Sequence, residues 1–87
     1  MVYKYEEQKP KIYTDRGIDM LMRFLKAASK KFKTSGAFRY DSISLSGDSW
    51  LHLAVVDYLV EIGELKEIPT DGATQERIFV KGDLWDL

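Results

Sequence analysis

The 87-residue sequence has no cysteine, one histidine (His52), two prolines and no apolar run longer than Leu53-Ala54-Val55-Val56. Without cysteine there is no disulfide framework, no thiolate metal ligand and no thiol nucleophile. One imidazole cannot build a zinc centre. Four consecutive apolar residues fall far short of the roughly 20 that a membrane helix needs. The start, Met1-Val2-Tyr3-Lys4-Tyr5-Glu6-Glu7, has no apolar stretch behind a basic one, so no secretory signal and a cytoplasmic location are expected. Gly36, Gly47, Gly63, Gly72 and Gly82 stand alone at turns and caps, which excludes a glycine-rich phosphate loop. Asp41 with Asp48, and Glu64 with Glu67, lack the spacing of a calcium loop. Asp48, Ser49 and His52 lie within one helical turn, whereas nucleophile, base and orienting acid converge from separate elements. No cofactor, metal, membrane or small-molecule substrate is therefore expected, and no enzymatic activity.

What is present suits one small globular domain: 45% apolar and 31% charged residues in a chain below the usual domain size. The net charge of −1 conceals a split. Residues 1–39 carry ten bases against four acids, a net +6, and residues 40–87 carry three against ten, a net −7. Local potential, not the total, is what a partner meets.

Residues 1–13 read as an arm in which Tyr3 and Tyr5 alternate as in a short strand until Pro10 interrupts. A helix follows, capped by Thr14 or Asp15 and stopped at Ser35-Gly36, with Ile18, Leu21, Met22, Leu25, Ala28 and Phe32 as its apolar stripe. Ala37–Tyr40 is a short strand with Phe38 and Tyr40 directed to the core. Residues 41–47 admit two readings, a helical turn capped by Asp41 or a loop that plugs the core with Ile43 and Leu45. A second long helix, capped by Asp48 or Ser49, runs through Ile62 to Gly63. Leu65–Ile68 and Gln75–Lys81 form a hairpin around the turn-rich loop 69–74 with its Asp71-Gly72 signal, and residues 83–87 are an aromatic tail.

Helix, short strand, stub or loop, helix and hairpin resembles the winged-helix order, over residues 14–82. The local pattern that carries the resemblance is Ile62-Gly63-Glu64-Leu65, where the recognition helix of that superfamily would pass into its first wing strand. The resemblance implies an α+β fold with loop 69–74 as the wing. It also implies a helix that enters DNA, but this one offers Asp48, Ser49, His52, Asp57 and Glu61, and no Lys or Arg lies between Tyr40 and Leu65.

With Leu51 at zero and about 100° per residue, Val55, Tyr58, Leu59 and Ile62 make a core stripe, and Trp50, Asp57 and Glu61 a wet face. A third, mostly apolar sector holds Ser49, His52, Leu53, Val56 and Val60. Either the wing and first helix bury it, or it is an interface. The second alternative gives a non-catalytic module acting through protein contacts, with a homodimer as the first expectation and His52, Leu53, Val56, Val60 and Trp85 as contact residues. Trp85 either folds back over the sheet or anchors the partner. The competing reading is a DNA-binding regulator that uses Lys26, Lys30, Lys31 and Lys33 of the first helix.

Overall fold

The computed structural model describes residues 2–71 and 76–85. Gly72 of the expected turn, Gln75 of the expected strand and Leu87 of the tail lie outside them. The fold is α+β. Helix α1 (Tyr5–Gln8) leads into a 3₁₀ turn (Lys9–Tyr13), then α2 (Asp15–Ser35), β1 (Ala37–Arg39), a second 3₁₀ turn (Tyr40–Ser42), α3 (Ser49–Glu61), β2 (Leu65–Ile68) and β3 (Ile78–Lys81). The three strands form one antiparallel sheet in the order β1–β3–β2, with Phe79 opposite both Phe38 and Glu67. No helix among the described residues is long and apolar enough to cross a membrane.

Capping fixes the two long helices. The Thr14 hydroxyl accepts the Gly17 amide at 3.2 Å, and α2 ends on Gly36 at φ 75°, whose N–H returns to the Phe32 carbonyl. The Asp48 carboxylate accepts the amides of Trp50 at 2.9 Å and Leu51 at 3.4 Å, satisfying donors that the first turn of α3 leaves open. The core lies between α2, α3 and the sheet. Phe24, Ala28 and Phe32 of α2 meet Val55, Val56 and Leu59 of α3 and Phe38, Leu65 and Phe79 of the strands. Phe38 joins the layers, with its ring centroid 5.9 Å from Phe24, 5.2 Å from Phe32 and 5.6 Å from Phe79.

Three sequence expectations change. First, the buried face of α2 is Gly17, Met20, Phe24, Ala28 and Phe32, while Ile18 and Met22 are exposed. The helix carries a second apolar row, and it buries the one that holds Met20, Phe24 and Phe32. Second, the arm is helical where a strand was expected. Glu6, Glu7, Gln8 and Lys9 favour a helical turn over a ladder, and Pro10 sits at the start of the 3₁₀ turn, where its missing amide costs nothing. Third, residues 41–47 combine the two open readings. One 3₁₀ turn begins at Tyr40, and the loop beyond it buries Ile43 and packs Leu45 against the core.

Candidate interaction face

The arm lies along the side of α3 that the sequence presents as wet. The Tyr3 ring meets Trp50 edge-on at 6.4 Å, and its hydroxyl donates to the Asp57 carboxylate at 2.8 Å. Lys9 pairs with Glu61, and the Tyr13 ring stands edge-on to Tyr58 at 6.1 Å. Ile12 is buried, and its backbone and that of Lys11 press on Gly17 of α2 where a side chain would stand. Burial, reinforced by the hydrogen bond to Asp57, raises the Tyr3 phenol above its ordinary range. Burial beside Glu61 does the same for Tyr5, so both phenols remain protonated. The hydrogen bond from Lys9 holds the Glu61 carboxyl below its usual range. From the residue before β3, Arg77 reaches the carboxylates of Glu67 at 2.8 Å and Asp57 at 2.9 Å. Those contacts, Glu67 first, push its guanidinium further up. The acidic half of the chain is thus partly neutralised from within.

The apolar sector of α3 is likewise occupied inside the protomer. Val56 is 0% exposed and His52 7%, so neither presents a docking surface. Val60 is half-buried and packs on the core, and Leu53 is half-buried. The structure therefore removes His52 and Val56 from the expected interface, because core and chain close over that sector. Trp85 folds back, its ring edge-on to Phe32 at 4.9 Å, and is half-buried there.

His52 shares a 2.7 Å hydrogen bond between Nδ1 and the Tyr40 hydroxyl and lies edge-on to Phe24. Its Nε2 is buried with no partner among the described residues. Burial lowers its pKa from the ordinary 6.5. Below pH 6.5 the unfolded chain then binds a proton that the folded chain refuses, so stability falls as the pH drops. The slope is at most about 1.4 kcal/mol per pH unit for one proton. The depressed Glu61 and Asp41 carboxyls support stability above their ordinary values of 4.5 and 3.8 and lose it only below them. Urea midpoints between pH 7.5 and 5 should therefore decline in the wild type and stay level in His52→Gln. An equal decline in both would assign the titration elsewhere.

The outer side of α2 is open. Met22 is 61% exposed and Ile18 49%. They lie one turn apart, and Met22 sits about 160° around the helix from Phe24. Met22, Leu25, Ser29, Lys26, Lys30 and Lys33 line a groove of about 570 Å³, together with Glu64 from the turn between α3 and β2. The structure groups only three of the four expected nucleic-acid lysines here. Lys31 turns toward β1, beside Ser35, Phe38 and Ser42. Among the described residues no ion pair engages Lys26, Lys30, Lys31 or Lys33. Sequence reasoning assigned Ile18 and Met22 to the core. The signal for the surface was the second apolar row, Met20 and Phe24, each two positions beyond Ile18 and Met22, since one packed face cannot hold both rows. Among the described residues no group of three His, Asp or Glu side chains is placed to hold a metal ion.

No family model, curated protein or solved structure matches this chain.

Proposed function

We propose that the chain is a winged-helix-like, non-catalytic module of the cytoplasm that acts through protein contacts made by the outer face of α2. The observation that carries this reading is the pair Met22 and Ile18, held in solvent on a capped helix whose opposite side is fully packed. Fully burying one such side chain contributes about 1.5–3 kcal/mol, so these two half-exposed residues offer a partner about 2–3 kcal/mol before association costs. The element order supports the winged-helix comparison, while the arm occupies the side of α3 that a duplex would need.

DNA binding through Lys26, Lys30 and Lys33 is the second reading, favoured by their lack of ion-pair partners among the described residues. Against it, the lysines flank apolar side chains that give nothing to a phosphate. A photo-crosslinking residue in place of Met22 should capture a protein in the cell of origin, and the same residue in place of Leu53 should not. Random duplex should not be retained at low salt. Retention that falls steeply with salt and disappears with Lys26→Glu and Lys30→Glu would replace this reading with the DNA one.

A further inference from the structure

We infer that the α2 groove receives an acidic amphipathic helix from another protein. The inference rests on the proposed function and names the chemistry of its partner.

The spacing comes first. Ile18, Met22, Leu25 and Ser29 follow one another at four, three and four residues in one row along α2, with Met22, Leu25 and Ser29 lining the groove and exposed Ile18 continuing the row beyond it. Lys26, Lys30 and Lys33 repeat that spacing immediately beside it. An apolar row with a parallel cationic row is matched by a helix that carries an apolar row bordered by carboxylates. From Ile18 to Lys33 the rise is about 22 Å, which sets the partner at about four turns.

Charge selects among occupants. The three lysines form no ion pair among the described residues, although the chain as a whole carries a net charge of −1. A second copy cannot answer them with a helix. The acids of α3 are engaged within the protomer, Asp57 by Arg77 and Tyr3 and Glu61 by Lys9, and the arm lies over that face. Helix α1 has only four residues, and α2 is itself the basic element. A duplex fits less well, since its phosphates would lie against Met22 and Leu25. The cationic row borders the apolar row on α2, so the carboxylates of the bound helix face the lysine side.

The test uses the full chain and a labelled synthetic helix of about 16 residues, with leucines at the complementary spacing and glutamates along one border. A scrambled peptide of the same composition is the control. Wild type should bind the patterned peptide at least roughly tenfold more tightly than the scrambled one. Met22→Glu, and Lys26→Glu with Lys30→Glu and Lys33→Glu, should each weaken binding at least roughly tenfold with an unchanged circular dichroism spectrum. Raising salt from about 50 to about 500 mM should weaken binding severalfold without abolishing it. The inference is overturned by no preference for the patterned peptide, by displacement of the peptide with random duplex, or by a dimeric mass that Met22→Glu reduces to a monomer. Crosslinking of a protein through position 22 together with indifference to the peptide would leave the proposed function standing and remove only this inference.

Discussion

Gly17→Ala should destabilise the domain by about 3 kcal/mol or more, against the usual expectation for a glycine inside a helix. Exchanging Gly for Ala in a helix interior normally gains about 1 kcal/mol. Here the new methyl would stand 2.5 Å from the Ile12 Cα and closer still to the Lys11 carbonyl oxygen. Both obstacles are backbone, so no side-chain rotation relieves them, and the arm must lift. Lifting exposes Ile12, which is 2% exposed in place, and a buried aliphatic of that size is worth about 2 kcal/mol by itself. It also loosens the Tyr3–Asp57 and Lys9–Glu61 contacts along α3. The loss therefore exceeds the propensity gain. The urea midpoint should drop, and the Trp50 and Ala54 amides should exchange faster than those of Phe24 and Ala28. A raised midpoint would show that the arm is not clamped against α2 at this point.

That clamp was not legible in the sequence, and the reason is physical. Helix limits follow from local chemistry, so Thr14 or Asp15 with Gly36, and Asp48 or Ser49 with Gly63, bracket α2 and α3 from the chain alone, and the structure puts the caps on Thr14 and Asp48. The hairpin follows from the β-favouring runs on either side of loop 69–74. What an arm of thirteen residues docks upon is a long-range question, and Tyr3 meets Asp57 across 54 positions. Local alternation pointed to a strand because nothing nearby signals that α3 will supply the partners. The split of charge was visible, and it foreshadowed Lys9–Glu61 without specifying it.

The interaction face was half legible for a related reason. Periodicity reports that a helix side is apolar, not which of two apolar rows is buried. On α3 it leaves the excess apolar sector open between burial and an interface, and the core closes over His52 and Val56. On α2 it places Ile18 and Met22 in the core stripe, and both are exposed. Neither question can be decided one helix at a time. The aromatic residues settle the choice, because Phe24, Phe32, Phe38 and Phe79 form one connected set of rings that only a particular rotation of α2 permits.

Phe24→Ala is the substitution that separates those two rows most sharply. The side chain is 0% exposed and touches the rings of Phe38 and His52, 5.9 and 5.6 Å away. Removing a buried phenyl group costs about 3–5 kcal/mol through lost transfer free energy and the cavity left behind. A domain of this length has a total stability of about 4–13 kcal/mol, so the variant should be marginal or unfolded at 37 °C. Met22, two positions along the same helix, is 61% exposed, and Met22→Glu should change stability by no more than about 0.5 kcal/mol. Loss of partner binding in Met22→Glu with an unchanged melting curve, beside loss of the melting transition in Phe24→Ala, would establish that α2 serves packing on one side and recognition on the other. If Met22→Glu melts as early as Phe24→Ala, the outer row is structural and the contact surface lies elsewhere on the domain.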